Sequence, residues 1–357
     1  MSETLLDAAG ETALYESFRH FWLPVAYSRD LHAEPVAVQV CDTEVVLARL
    51  GGTARAFADL CPHRGSRLSL GWVEQDSLRC AYHGWLFDCA GVCTQIPGSE
   101  DYRMPARARL RGYRCEEAGG LVWVCLEDSP RFDIPRFPEY DDPDYRIVPI
   151  PAADWNAGAA RRVENFVDLA HIPWVHDGQL GSRHQPQLPT HDLRRDGDNI
   201  HMWGSFAEVH SIKTRTSELA ESDPSLTSSH EWRVYMPLTV WWQQSLPENR
   251  YFGLLVAALP VSAGVTRTFM MNFRNFAHDE PDEPFCQFQI EIAERDRAIV
   301  ESQRPEELPV DLTAELHTRA ADKMSIEYRR WLVEMAREAG AVTGAAVSAA
   351  PRRGGSP

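Results

Sequence analysis

The sequence predicts an α+β protein in two parts: a strand-rich N-terminal region, and a larger C-terminal region that mixes strand-like and helical stretches. Three observations predict it. The chain has 357 residues, more than one core usually occupies. Paired glycines punctuate short apolar runs in its first third. A cluster of prolines then separates these runs from the first long helical pattern.

Each element follows from local chemistry. Glu44 to Leu50 leads through Gly51-Gly52 into Thr53 to Phe57, a hairpin, because paired glycines accept the positive φ of a tight primed turn. Tyr113 to Glu117, Gly119-Gly120 and Leu121 to Leu126 form a second hairpin by the same signal. Pro130, Pro135, Pro138, Pro143, Pro149 and Pro151 exclude a continuous helix or central strand and mark the connection between domains. Beyond it a helix starts near Ala159, Tyr235 to Gln244 and Tyr251 to Pro260 read as strands, and Pro284 to Gln303 and Ala320 to Ala339 read as helices. Pro284 suits a first helical turn and Gly340 a C-terminal cap. The Ala, Gly, Ser and Pro composition of residues 341–357 predicts disorder. The expected boundaries are an extension 1–15, a first domain 16–127, a connection 128–151, a second domain 152–340 and a tail 341–357.

The charge balance excludes whole classes of partner. With 36 basic and 52 acidic side chains the net charge is −16, which repels nucleic-acid phosphates and anionic lipid headgroups. No run of about twenty apolar residues occurs, and Met1 to Gly10 lacks a basic region followed by an apolar stretch, so a cytoplasmic protein is expected. Two of the eight cysteines belong to the motif below; Cys41, Cys89, Cys93, Cys115, Cys125 and Cys286 read as free thiols, including Cys89 and Cys93 on either side of Gly91.

The chemistry is announced by Cys61-Pro62-His63-Arg64-Gly65 and Cys80-Ala81-Tyr82-His83-Gly84-Trp85. Two thiolates suit one iron and two imidazoles another, so the set can hold a [2Fe-2S] cluster of raised potential. Zinc also accepts two Cys and two His, but its modules usually pair Cys with Cys and His with His, whereas each pair here mixes them. The pattern resembles the Rieske domain of the Rieske non-haem iron oxygenases. The positions that carry an extra disulfide in the respiratory type are, by that resemblance, Ser66 and Tyr82 here, which implies the lower-potential oxygenase or ferredoxin type.

A second constellation comprises Asn165, Asp168, His171 and His176. On one helix, positions 165, 168 and 171 drift only about 60° per step and share a face, while His176 would lie about 140° from His171 unless Pro173 ends or kinks the helix. Two converging histidines need a carboxylate to complete a facial triad for iron(II). Composition leaves Glu294, Asp296 and Glu301 open as that carboxylate.

The family resemblance covers about residues 15–335. It implies His171, His176 and Asp296 as ligands of a mononuclear Fe(II), and a C-terminal helix-grip domain whose antiparallel sheet is covered by helices. It further implies a homotrimer in which Asp168 bridges His171 and His83 of a neighbouring subunit, with Asn165 lining the same site. The run His171-Ile172-Pro173-Trp174-Val175-His176-Asp177-Gly178 and the run Tyr328-Arg329-Arg330-Trp331-Leu332 resemble the vanillate and dicamba demethylase type and the saxitoxin-tailoring hydroxylases. The expected activity is a monooxygenase that hydroxylates or oxidatively demethylates a small aromatic or polycyclic molecule with dioxygen. No glycine-rich dinucleotide fingerprint opens a βα unit, so electrons are expected from a flavin-dependent NAD(P)H reductase, directly or through a ferredoxin. An electron relay without oxygenase activity and a zinc-stabilised binding protein are the rival readings. Trp203, Phe206, Trp232, Trp241, Trp242 and Phe252 are expected mostly in the core, and His184, His191, His201, His210 and His230 to be ordinary histidines without ligand spacing.

Overall fold

Antiparallel pairing builds three sheets in residues 8–97, 104–207 and 227–348, which this computed structural model describes. In chain order the N-terminal strands are β1 (Leu23–Tyr27), β2 (Val36–Val40), β3 (Thr43–Leu50), β4 (Thr53–Ala58), β5 (Trp72–Glu74), β6 (Ser77–Arg79), β7 (Leu86–Phe87), β8 (Cys93–Gln95), β9 (Gly112–Ala118) and β10 (Leu121–Cys125). A six-stranded sheet has the order β1-β10-β9-β4-β3-β2, and a four-stranded sheet the order β5-β6-β7-β8. Both predicted hairpins form: Gly51 and Gly52 turn β3 into β4, and Gly119 and Gly120 turn β9 into β10, all four at positive φ. Between the two sheets lies a small core of Val46, Leu50, Phe57, Leu68, Leu78 and Phe87 that also contains Cys61 and Cys80.

The second part is a seven-stranded sheet. Its strands are β11 (Arg146–Trp155), β12 (His191–Asp196), β13 (Asn199–Ala207), β14 (Thr227–Tyr235), β15 (Thr239–Leu246), β16 (Arg250–Ser262) and β17 (Val265–Arg274), in the order β11-β17-β16-β15-β14-β13-β12. The last of the expected connection, with Pro149 and Pro151, is therefore strand, and it sits at the sheet edge, where a residue without an N–H is tolerated. The expected strand Tyr235 to Gln244 is divided: Tyr235 ends β14, and Met236 to Leu238 turn the chain into β15.

Helices α1 (Ala8–Ser17), α2 (Ala159–Val167), α3 (Ile172–Val175), α4 (Glu283–Val300) and α5 (Lys323–Ser348) complete the described chain. Pro284 lies in the first turn of α4, where its missing N–H costs nothing. Gly340 does not cap α5. The helix runs through it to Ser348, since the alanine-rich stretch that follows favours helix and outweighs one glycine. The expected tail therefore begins inside α5, and 349–357 lie outside the described residues. No described helix is long and apolar enough to cross a membrane.

One apolar core runs through both sheets, from Val25, Val45 and Trp123 to Met271, Tyr328 and Leu332. The Tyr27 hydroxyl donates to Ile150 O and accepts from Met270 N–H, stitching β1 to β11 and β17. Around α2 the core carries a buried ionic network: Arg329 donates to both Glu164 oxygens (2.6 and 2.7 Å), to Glu315 (2.6 Å) and to Pro309 O (2.7 Å), and Arg161 joins through Glu315 at 2.8 Å. Replacing Arg329, only 2% exposed, by alanine strands these acceptors. Arg329→Ala is expected to lose about 3–5 kcal/mol of stability, read as a lower urea midpoint at unchanged slope.

Candidate metal centres

Two loops of the same backbone design present the first donor set. Gly65 N–H donates to Cys61 O at 2.9 Å and Gly84 N–H to Cys80 O at 3.0 Å; Cys61 N–H donates to Ser66 O, and Cys80 N–H to Trp85 O. Gly65 and Gly84 stand at φ +71° and +69°, which lets each loop fold back on its cysteine. Both cysteines are buried, while His63 and His83 lie side by side with ring centroids 4.4 Å apart, and His63 stacks on Trp85 at 4.6 Å. The Ser66 hydroxyl lies 3.2 Å from Cys80 Sγ. Burial pushes both thiols up, Cys61 to about 11, but Ser66 and the loop amides outweigh it at Cys80 and hold that thiol below its usual range.

Among the described residues only His171, His176 and Asp296 bring three donor atoms within 4.8 Å of one another. The four loop donors therefore do not close on one point as a tetrahedral zinc site would. Two thiols and two paired imidazoles held apart suit a cofactor with two metals.

The second set depends on a break in the chain. α2 ends at Val167, so positions 165 to 171 do not share one helix face as expected; Asp168 is extended (φ −76°, ψ 122°), and its Oδ1 accepts from Ala170 N–H at 2.8 Å to turn the chain. Pro173 does not end a helix; it sits in the first turn of α3, which His171 and His176 bracket. Their ring centroids are then 5.2 Å apart. Asp296 comes from the buried face of α4, its Oδ1 2.8 Å from His176 Nε2 and 3.4 Å from His171 Nε2. Although close, that oxygen lacks the alignment of a hydrogen bond to either ring. Buried donors that converge without satisfying one another fit a cation between them.

Burial would lower the His171 pKa, but the Asp168 and Asp296 carboxylates outweigh it and raise it to about 9. Burial would raise Asp296, but the two imidazoles hold it far below the usual carboxylate range. Asp168 Oδ2 lies 3.4 Å from His171 Nδ1. Asn165 Oδ1 accepts from Arg162 at 3.1 Å, and Asn165 lines the cavity described next.

A cavity of roughly 180 Å³ opens beside the three donors, between the sheet and α2 and α4. Its walls correct two expectations. Phe206, Trp232, Trp242 and Phe252 line it, Trp232 and Phe252 while also belonging to the buried core, because successive antiparallel strands turn the same face toward the helices. His230 lines it as well, packed 4.5 Å from Phe206 and stacked on Trp232. Alternation from His230 to Trp232, with Trp242 and Gln244 opposite on β15, was the available signal. His210 lies outside the described residues.

Residues 21–113 match the model of the Rieske [2Fe-2S] domain, and residues 155–338, more than half the chain, match the vanillate O-demethylase oxygenase C-terminal domain. The chain is 32% identical over 330 residues to the methylxanthine N1-demethylase NdmA of Pseudomonas putida, covering 90% of each. Its structure is similar to that of NdmA from Pseudomonas putida CBB5 with caffeine, with a TM-score of 0.81, 30% identity and coverage of 92% of this chain and 96% of that one. Dicamba monooxygenase bound to dicamba, at 21% identity and a TM-score of 0.79 over 90% of this chain and 98% of that one, shares the fold.

Asp296 can reach the histidines only while α4 is held in place. At the start of α4, Asp282 takes two hydrogen bonds from Arg146 (2.6 and 2.8 Å) and one from buried Arg274 (3.1 Å). Arg146, against the opposing effect of burial and with help from Arg274, keeps the Asp282 pKa below its usual value. A folded-state pKa that is depressed stabilises above the unfolded value, and the stabilisation disappears as pH falls through the folded value. Asp282→Asn is therefore expected to be less stable than the parent at about pH 6, with the difference shrinking as pH falls below the ordinary carboxylate range, as read from urea midpoints across that range.

Proposed function

We propose that this chain, which belongs to the Rieske non-haem iron oxygenases, holds its [2Fe-2S] cluster on Cys61, His63, Cys80 and His83 and its mononuclear iron on His171, His176 and Asp296. Membership brings both cofactors, dioxygen, electrons from a separate reductase, and hydroxylation or oxidative demethylation as the reaction. The observation that carries the residue assignment is the convergence of three buried donors within 4.8 Å at the edge of an aromatic-walled cavity. The substrate is a small aromatic or heterocyclic molecule, as for the methylxanthine demethylase relative.

Bound iron supplies the oxygen activation. The protein does the rest. Trp232, Trp242 and Phe252 exclude water and hold a flat molecule beside the donors, while burial of His176 and Asp296 limits the positions open to solvent. Asp168 orients His171 through Nδ1, fixing which ring nitrogen faces the metal.

The same reading makes Asp168 the link to His83 of a neighbouring copy in a homotrimer. Two exposed surfaces support this. Tyr82 (62% exposed) and Leu60 (57%) surround the cluster loops, and Trp174 (53%) stands in α3 beside His171. A flavin-dependent NAD(P)H reductase, directly or through a ferredoxin, completes the partner set, and the six cysteines outside the cluster loops, none of them in a disulfide, are consistent with the cytoplasm. The division into domains at 16–127 and 152–340 belongs to this proposal, with Arg146 to Pro151 of the expected connection joining the second sheet.

Purified enzyme reconstituted without oxygen is expected to carry about three irons per chain and a Rieske electron-spin signal. Asp296→Ala should drop to about two irons with that signal unchanged. A parent protein with no more iron than its cluster accounts for would leave only the relay reading. Asp168→Asn should keep all of its iron and lose about tenfold or more of its turnover, measured with reductase and dioxygen consumption; unaltered turnover removes the linking role.

A further inference from the structure

The far wall of the cavity holds a hydrogen-bond chain that iron ligation does not use. Gln244 Nε2 donates to Ser228 Oγ at 3.0 Å, and the same oxygen lies 2.8 Å from His230 Nε2, to which its hydroxyl can donate. An imidazole that accepts at Nε2 carries its proton at Nδ1. His230 Nδ1 makes no hydrogen bond with the described residues, and His230 lines the cavity. Trp242, its neighbour on that wall, also has an indole N–H without a partner. The wall thus offers one cavity-facing nitrogen, His230 Nδ1, flanked by ring faces, while the Trp242 indole N–H is shut off from the cavity.

Charge is absent from the same wall. Among the described residues lining the cavity, Asp296 is the only acid, and there is no lysine or arginine. His230 adds none, since burial among rings lowers its pKa to about 3 and keeps it neutral. A carboxylate or sulfonate on this wall would lose its hydration with no lysine or arginine among the described lining residues to offset the loss. A carbonyl oxygen or ring nitrogen would give up little and gain the waiting donor.

Resting on the oxygenase reading, we propose that His230 is the residue that selects and orients substrate, donating from Nδ1 to a carbonyl or ring nitrogen of a planar, uncharged aromatic or heterocyclic molecule. Ser228 and Gln244 are positioning residues, fixing the tautomer. Flat rings enter between Phe206, Trp232 and Trp242, and the acceptor on the ring sets which carbon faces the iron.

The test is equilibrium dialysis of the iron-loaded enzyme, without oxygen, against two probes: caffeine, which is uncharged and bears ring carbonyls, and vanillate, which is a carboxylate. Caffeine should bind at least about tenfold more tightly than vanillate. His230→Phe, which keeps the ring and removes the donor, should weaken caffeine binding by about tenfold. His230→Gln, an uncharged side chain with an N–H donor, should recover part of the loss, separating a missing donor from a disturbed fold. Vanillate binding as tightly as caffeine, undiminished caffeine binding in His230→Phe, or no caffeine binding by the parent enzyme overturns the proposal. Iron content and the Rieske signal of the same sample report separately on the oxygenase reading.

Discussion

A buried carboxylate that must stay ionised is the constraint around which the catalytic half of this molecule is arranged. Asp296, 6% exposed, faces two imidazoles that cannot both be protonated and also bind a metal. The nearby permanent charge is Arg162, wholly enclosed, and the way it is held matters. It lies over the Trp155 ring at 4.4 Å and near Phe166 at 5.7 Å, and donates to the neutral Asn165. Burial lowers Arg162 to about 10, so it remains a cation at neutral pH, and no carboxylate within hydrogen-bond distance neutralises it. Ring faces and an amide hold it in place while leaving its field directed at Asp296. Asn165 therefore serves the site from behind by anchoring Arg162, in addition to lining the cavity.

That arrangement explains why the neighbouring charges are so heavily tied. α2 carries Arg161 and Arg162 side by side, one into the Glu315 and Arg329 network and the other toward the metal site. Glu164, on the same helix, receives both arms of Arg329. Fixing α2 against α5 by paired ions fixes the end of α2 at Val167, and the turn at Asp168 then sets the direction in which His171 and His176 leave it. α4 is fixed independently, at its own start, by Arg146 and Arg274 on Asp282. Three donors meet because two helices are each pinned before the donors begin.

Much of this was legible in the sequence, and the reasons for the misses are physical. The glycine-paired hairpins and the Cys/His loops are local devices, in which backbone chemistry acts within a few residues, so reading them needed no fold. Ranking Asp296 above Glu294 and Glu301 could not be done locally: two lie on α4 and Glu301 caps its end, and in the structure Glu294 and Glu301 pair with Arg297 while Asp296 turns inward. The break at Asp168 was missed because helical spacing and a turn capped by an aspartate place the same residues at the same intervals. His230 was passed over since it has no histidine at ligand spacing; its environment comes from β13 and β15, which only strand pairing reveals. Gly340 failed as a stop signal for a simpler reason, that a helix may run on past a glycine when the residues beyond it are strong helix formers.

The surface and the cavity of this protein obey opposite electrostatic rules, and the contrast follows from what each must do. A net charge of −16 over the whole chain repels polyanions, and at the surface solvent screens each pair. Inside, rings and one neutral imidazole form the wall facing the metal ligands, where screening is weak and any unpaired charge would be costly. An anionic group on that wall would compete with Asp296 for the same cation or raise the pKa of its carboxyl, and a cationic one would repel the metal. A neutral donor avoids both effects while still fixing the orientation of a bound ring. The polar chain from Gln244 through Ser228 to His230 is how the fold gives a dry wall direction without giving it charge.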